Sequence, residues 1–455
     1  MQIVVCNGVE FMKFTYDEIV KATGATVLQC ASTAGNLTVS TDSRNINDGN
    51  FYIPLKGEKF DGHDFIKDAV DKGVRGYFTS DKTLIFPKAK FILYVEDTLI
   101  AYLKLALYYK EKINPVTIAI TGSSGKTTTK EMMASVMSKG YKIHKSPLNH
   151  NNEVGLCQTL LSMPADTEVL ILEMGMRGPG EIELLSQYSK PDIAVIANTG
   201  TAHIGRLGSV KNIAKAKCEI SKYLPEEGLL IAYDTELIRK TNTYQGQTIY
   251  VGLDSPELKN VKLHPASSEF DYKNHHYKLN VEGEHNIQNS LFVINSALKL
   301  GLNPEKIAAG LENYKPIEKR WQLSHIAGYT VVDDSYNSNP DSLRAAIDTF
   351  LSTQDKHGPE RWLVLGDMKE LGKGERNYHK EIGEFIDKYV NVKLITVGTL
   401  ARYIAQNSKH ISKSFPNNKG VAAFIKSHAS EGCAILFKAS RSMKFEEIIK
   451  ELEKL

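Results

Sequence analysis

The sequence predicts an α/β protein of three domains. Its 455 residues suggest about three units at the usual domain size. From Pro115 onward, apolar strand-like runs alternate with helical stretches, and near "ENYKPIEKRW" that alternation breaks before a second series begins. A net charge of +3, from 56 basic and 53 acidic residues, provides no global field toward DNA, RNA or an anionic membrane. Any anionic ligand must therefore be held locally.

Residues 1–113 read as a small mixed α/β domain. The stretch "KFTYDEIVKATG" has the pattern of an opening helix, and the turn clusters "DSRNINDGN" and "KGEKFDGHD" separate the apolar runs "FYIPL" and "FILYV". The eleven residues before Met12 leave two readings open, a start at Met12 or a short extra strand following Met1. Residues 114–315 carry "VTIAIT", a helical stretch over 127–138, "VLILEM" and "IAVIAN", the signature of a parallel sheet wrapped by helices. Residues 316–455 repeat the alternation at "TVVDDS", "RWLVLGDM", "KLITVG" and "AILFKA", which predicts a second, Rossmann-like sheet.

No apolar run approaches membrane-spanning length, and the N-terminus lacks the basic, apolar and small-residue order of a secretory signal. A cytoplasmic protein with neither membrane nor nucleic-acid partners is expected. The five cysteines, Cys6, Cys30, Cys157, Cys218 and Cys433, are scattered and never in C-x-x-C spacing, so neither a disulfide framework nor a zinc site is indicated.

The chemistry concentrates in "IAITGSSGKTTTKE", from Ile118 to Glu131. Gly122 and Gly125 remove Cβ atoms around Ser123 and Ser124, so that backbone N–H groups can turn toward phosphate oxygens at a helix N-terminus. Lys126 supplies a point charge for the β- and γ-phosphates, and the hydroxyl of Thr127 suits a magnesium ion. An ordinary strand-to-helix turn would also accept these residues, but strand, glycines, Gly-Lys-Thr-Thr and helix in this order favour a phosphate loop. Glu173 closes the run "EVLILEMG" at a strand end, where open α/β sheets bind ligands. His203 lies in "NTGTAHIGRLGS" beyond the next strand, and its imidazole could complete a metal shell. Alone, each also reads as a solvated loop residue. In "NIAKAKCEI", Lys215 and Lys217 sit two apart on a helix and face different directions.

With Ile120 where the generic phosphate loop has glycine, the spacing T-G-x-x-G-K-T resembles that of the Mur ligase family, which includes the folylpolyglutamate synthases. These ATP-dependent enzymes join a carboxylate to an amine. The resemblance implies ATP held by Gly122, Ser123, Ser124, Gly125, Lys126, Thr127 and Thr128. It implies Mg2+ held by Thr127, Glu173, His203 and Lys217, a lysine often carbamylated in the family. Carbamylation requires a neutral amine, favoured by burial or nearby positive charge. His285-Asn286-x-x-Asn289 matches the family's H-N-x-x-N, which sets Asn289 against adenine and leaves Asn286 for capping or ribose contact. Arg320 in "IEKRWQ" and Asp334 in "VVDDSYNSNPDS" match residues near the γ-phosphate and ribose. The catalytic set implied is Lys126, Glu173, His203, Lys217 and Arg320.

Five longer words, "DSRNINDGNFYIPLKGEKFDGHDFI", "SPLNHNNEVG", "DDSYNSNPDS", "VLGDMKELG" and "LFKASRSMKFEEI", resemble one branch of the family, which adds D-alanyl-D-alanine to UDP-N-acetylmuramoyl-tripeptide. The resemblance implies that Ser43, Arg44, Asp61, Gly62 and His63 face the UDP end in the N-terminal domain. Asn151 and Asn152 would follow the muramoyl-peptide, and Asn337, Ser338, Asn339, Ser440 and Arg441 the incoming dipeptide. Each also suits turn chemistry or capping. Two words depart from the pattern: Ala439 replaces a glycine in Lys438-Ala439-Ser440-Arg441, and Leu148 replaces one before Asn149. Neither touches the ATP chemistry. A monomer is expected. The branch adding the third amino acid carries D-Y-x-H-x-P where this chain has "DDSYNSNP", and a non-catalytic nucleotide binder would have no need of Lys126, Thr127, Glu173, His203 and Lys217 together.

Overall fold

The computed structural model describes residues 13–33, 35–47, 49–147, 150–264, 266–316, 319–352 and 360–455, together with the backbone of 4–6 and 9–11. Met1 and Met12, the two candidate starts, lie outside the described residues, as do Leu148 and Asn149. Strands Val4–Cys6 and Val9–Phe11 pair antiparallel. The opening helix is Tyr16–Thr23, begun by a Thr15–Glu18 capping box and ended by Gly24 at φ 69°, the left-handed position that glycine occupies without strain.

The N-terminal sheet orders its strands as Thr26–Cys30, Phe91–Tyr94, Gly76–Thr79, Asn50–Tyr52 and Thr38–Ser40. All pairs are parallel except the first. In its core Phe51 stacks on Phe91 and meets Phe78 edge to face. Helix Thr98–Ile113 carries the chain to the central domain, where the Tyr109 hydroxyl donates to the Met163 carbonyl at 2.6 Å.

Six parallel strands form the central sheet, in the order Gln247–Val251, Leu229–Tyr233, Ile193–Ile196, Val116–Thr121, Val169–Glu173 and Ile143–Lys145. Strands Val169–Glu173 and Ile193–Ile196 are buried along their whole length, as expected when helices cover both faces. The first strand in sequence, Val116–Thr121, lies between them, so the connections leave it in opposite directions. Such a switch opens a crevice at the strands' C-terminal ends. The phosphate loop, Glu173 and Asn198 all emerge there.

An antiparallel meander of Leu258–His264, Ser267–Tyr272 and His275–Leu279 then leads into helix Glu284–Lys299, which packs on helix Lys126–Met137. In the C-terminal sheet the order is Gln322–Ile326, Tyr329–Asp333, Ala434–Lys438, Arg361–Gly366, Val392–Val397 and Ile411–Phe415. Only its first pair is antiparallel.

The C-terminal domain docks directly on the central one. Thr201 donates through both its N–H and its hydroxyl to Asp341 Oδ2, at 2.6 and 2.7 Å. The Trp321 indole donates to Glu282 Oε1 at 3.1 Å, and the Gly205 N–H donates to the Glu370 carbonyl at 3.3 Å. A Cβ on Gly205 would stand 2.5 Å from the Gly372 nitrogen and 2.9 Å from the Glu370 oxygen. Gly205→Ala is therefore expected to keep its circular dichroism spectrum but push the two domains apart, raising the radius of gyration measured by X-ray scattering. An unchanged radius would mean that the contact yields without cost.

Candidate active site

The phosphate loop is braced by a neighbouring strand. Asn198, at the end of the neighbouring strand, accepts from the N–H groups of Ser123 and Ser124 through Oδ1 at 2.8 and 3.0 Å. Its own amide donates to Ser124 Oγ at 2.7 Å. The loop N–H groups of these two serines are thus turned onto Asn198, not outward as the sequence suggests. This leaves the N-terminal amides of helix Lys126–Met137, which has no side-chain cap, as the loop's anion-facing donors. Gly125, at φ 77°, sets up that helix start. A Cβ there would also lie 2.7 Å from Asn289 Oδ1, so Asn289 is pressed against the loop.

Lys126 folds back over the loop, donating to the Gly122 carbonyl at 2.8 Å. Loss of water pushes its pKa down, with Glu173 opposing and Arg320 adding to the shift. Behind it, the Thr127 hydroxyl donates to Glu173 Oε2 at 2.9 Å, and the Asn151 amide donates to Glu173 Oε1 at 3.2 Å. Lys217 is 2% exposed, and burial, reinforced by the positive charge of Lys126, pushes its amine well below the usual lysine range. Lys215, two residues earlier, is exposed.

His203 takes a left-handed conformation, φ 63°. Its Nδ1 lies 2.7 Å from Glu370 Oε2, a contact across the two domains. Arg320 lays its guanidinium 4.2 Å over the Tyr336 ring and keeps a buried, unpaired Nε. Left-handed residues Lys319 and Trp321 flank it. Asp334 receives the Lys438 ammonium at 2.5 Å.

Of the two readings for Asn286, capping or ribose contact, the geometry contradicts capping. The helix cap is Gly283, while the Asn286 amide donates to the Glu282 carbonyl at 2.7 Å, so this asparagine serves as a donor to the chain it follows, the reverse of a cap. Asn152, in contrast, caps helix Glu153–Leu161 by accepting from the Gly155 N–H at 2.8 Å.

The remaining candidates divide between two places. From the C-terminal domain, the Asn339 amide donates to the Ser123 carbonyl at 3.3 Å, and Ser440 Oγ accepts from the Lys369 N–H at 2.9 Å. Asn337 accepts from the Ser338 N–H, and the Ser338 hydroxyl is buried without a partner. Arg441 pairs with Glu446 at 2.7 Å. These residues, with Lys126, Glu173, His203, Asn289 and Arg320, line one cleft of about 1450 Å³.

Ser43, Arg44, Asp61, Gly62 and His63 lie outside that cleft, in two short turns. Asp42 accepts from the Arg44 N–H and pairs with its guanidinium. Asp61 accepts from the His63 N–H at 3.0 Å. Because His63 Nε2 accepts from the Ser80 N–H at 3.1 Å, Nδ1 carries the proton toward Asp61 at 2.6 Å. Both aspartates are thereby held below the usual carboxylate range.

Asn198, Asp341, Lys369 and Glu370 were not singled out by sequence. Only Asn198 carried a local signal, an amide at the end of "IAVIAN" beside a phosphate loop. Asp341 and Glu370 act through the partner domain, and no spacing reveals that.

A Thr127 hydroxyl joined to a buried Glu173 carboxylate is an all-oxygen pair that suits magnesium, which takes few protein ligands and completes its shell with phosphate and water. Among the described residues no group of three His, Cys, Asp or Glu side chains could hold a metal alone.

Residues 38–114 match the Mur ligase family catalytic domain, 120–297 the Mur ligase middle domain, and 319–441 the Mur ligase glutamate ligase domain. The UDP-N-acetylmuramoyl-tripeptide--D-alanyl-D-alanine ligase of Bacillus subtilis is 38% identical, over 91% of this chain and 92% of its own. The Escherichia coli enzyme of that name is 29% identical over 91% and 93%. MurF from Acinetobacter baumannii superposes with a TM-score of 0.90 at 28% identity, covering 98% of this chain and all of its own. MurF ligase from Thermotoga maritima in complex with ADP gives 0.84 at 28% identity, over 92% and 97%. The fold and site define an ATP-dependent ligase. The chain belongs to the Mur ligase family.

His285 provides a titration test. Burial lowers its pKa from 6.5 to about 4, with Asp334 opposing. Between these values the unfolded chain binds more protons than the folded one, so this group's contribution to stability falls as pH drops from 6.5 toward 4. Urea unfolding of His285→Gln across that window should show a shallower loss of stability than the parent. Parallel curves would overturn the assignment.

Proposed function

We propose that the chain joins the terminal carboxylate of UDP-N-acetylmuramoyl-tripeptide to the amine of D-alanyl-D-alanine at the expense of ATP, in the cytoplasm and as a monomer. The observation that carries this reading is the pairing of the Lys126 loop with C-terminal residues from the segment 334–341, brought together by the Asn339 to Ser123 and Asp341 to Thr201 bonds. The resemblance of the whole chain to ligases of that name supplies the substrates. We assign residues 1–113 to the UDP-sugar, 114–315 to ATP and 316–455 to the dipeptide.

The carboxylate attacks the γ-phosphorus, releasing ADP and forming an acyl phosphate. The dipeptide amine then adds to that carbonyl, and the tetrahedral intermediate collapses to amide and inorganic phosphate. Lys126 and Arg320 oppose the negative charge gathered by triphosphate and carboxylate, in a cleft where water no longer screens them. Magnesium, held by Thr127 and Glu173 with His203 and a carbamylated Lys217, would add Lewis-acid charge neutralisation. Asn289 takes the adenine edge, and Asp334 the ribose. Asn151 and Asn152 line the path of the muramoyl-peptide. Asn337, Ser338, Asn339, Ser440 and Arg441 receive the dipeptide. In the N-terminal domain, Ser43 with Arg44 and the Asp61-Gly62-His63 turn offer donors to the UDP end. Closure of the C-terminal domain brings the amine to a preformed electrophile, so a three-body encounter becomes one conformational step.

The deciding experiment is phosphate release from ATP with tripeptides ending in L-lysine or meso-diaminopimelate, each with D-alanyl-D-alanine or D-alanine, and products weighed by mass spectrometry. A pentapeptide product made only with the dipeptide supports the proposal. Release with a different amine would overturn it. Lys126→Ala should fold normally and lose about a thousandfold or more in turnover, the range for removing a cation that stabilises a transferring phosphoryl group. The carbamate has its own signature: with 13C-labelled bicarbonate, carbon NMR should show a carbamate resonance that Lys217→Arg removes. Its persistence in that variant would assign the modification elsewhere.

A further inference from the structure

We propose that Lys130 is a positioning residue that fixes the Glu173 carboxylate from behind. It lies one helical turn beyond Lys126 on helix Lys126–Met137, yet it faces the protein interior and is 0% exposed. Its ammonium donates to the Ser146 carbonyl at 2.9 Å, and lies 3.3 Å from Glu131 Oε1 and 3.6 Å from Glu173 Oε2. Ser146 holds the same carboxylate residue by a second route, its hydroxyl accepting from the Glu173 N–H at 3.2 Å. Glu131 in turn pairs with Lys145. Charges therefore alternate from the protein surface to the phosphate loop: Lys145, Glu131, Lys130, Glu173, then the Thr127 hydroxyl.

A buried ammonium needs partners, and Glu131 with the Ser146 carbonyl already offers two. The approach to Glu173 is what joins Lys130 to the site. Glu173 Oε2 lies between the Thr127 hydroxyl and the Lys130 ammonium, and Oε1 takes the Asn151 amide. Contacts on three sides hold the carboxylate toward Thr127. Lys130 also balances its charge when no cation stands in front of it. Groups that orient a metal-binding side chain in this way change metal affinity by about ten- to a hundredfold when removed.

This inference rests on the reading that Glu173 binds the metal, and the experiment separates the two. ADP binding is measured by calorimetry with and without Mg2+ for the parent, Lys130→Gln, Glu173→Gln and the double variant. Lys130→Gln keeps a donor for Ser146 while removing the charge. The gain in ADP affinity brought by Mg2+ should fall about tenfold in Lys130→Gln, with metal-free ADP binding unchanged. In the Glu173→Gln background the second substitution should have no further effect. An equal loss with and without Mg2+, or the same loss in the Glu173→Gln background, would reduce Lys130 to a packing role and overturn the proposal. A full Mg2+ gain in Glu173→Gln alone would remove Glu173 from the metal and the inference with it. Should Lys130→Gln fail to fold, Lys130→Met with Glu131→Gln deletes the buried pair together, a change that proteins tolerate better than loss of one partner, and the same four-way comparison applies.

Discussion

Positive charge withdrawn from water around the phosphate loop is the constraint on which the rest of the structure depends. Lys126, Lys130, Lys217 and Arg320 converge there, and two of them, Lys130 and Lys217, have almost no contact with solvent. Isolated ammonium groups would not tolerate this. The protein answers differently for each: Lys130 is given carboxylates and a carbonyl, Lys217 is pushed toward its neutral form, and Lys126 rests on the Gly122 carbonyl. Arg320 leans on an aromatic face, an arrangement open to guanidinium because it is planar and weakly hydrated.

The central sheet makes such an assembly possible. Because Val116–Thr121 has neighbours reached in opposite directions along the chain, its loop can be touched from both sides: by Glu173 at the end of one strand and by Asn198 beyond the end of the other. Asn198 occupies two loop amides, which fixes the loop's shape, and the proposed anion recognition falls to the helix start and Lys126. The stiffness of the loop and its chemistry are therefore divided between different residues.

How much of this was legible in the sequence depends on how far apart the cooperating residues lie. The loop from Gly122 to Thr128 could be read directly because strand, turn and helix start follow one another in the chain. Glu173 could be read from its place at a strand end. The fold class and the strands of all three sheets around "FYIPL", "VTIAIT", "VLILEM" and "RWLVLG" showed themselves as apolar runs. The meander was missed: Leu258–His264 is largely exposed and carries no two-residue alternation, although Ser267–Tyr272 does. Lys130, Asp341 and Glu370 were missed for another reason. Each looks like an ordinary charged residue on a helix or in a turn, and its role exists only once a distant segment is folded against it. Lys217 could be suspected from its word alone, but only burial shows why its amine would be neutral.

The contact between Asn339 and the phosphate loop has a consequence for how this ligase could acquire a new acceptor. Residues 337–339 are proposed to receive the dipeptide, and Asn339 together with Asp341 fastens the C-terminal domain to the central one through Ser123 and Thr201. On that proposal, choice of amine and grip on the central domain share one short stretch of chain. Exchanging that stretch to admit a different amine would alter the docking angle as well, so acceptor range and closure must change together, whether by evolution or by design.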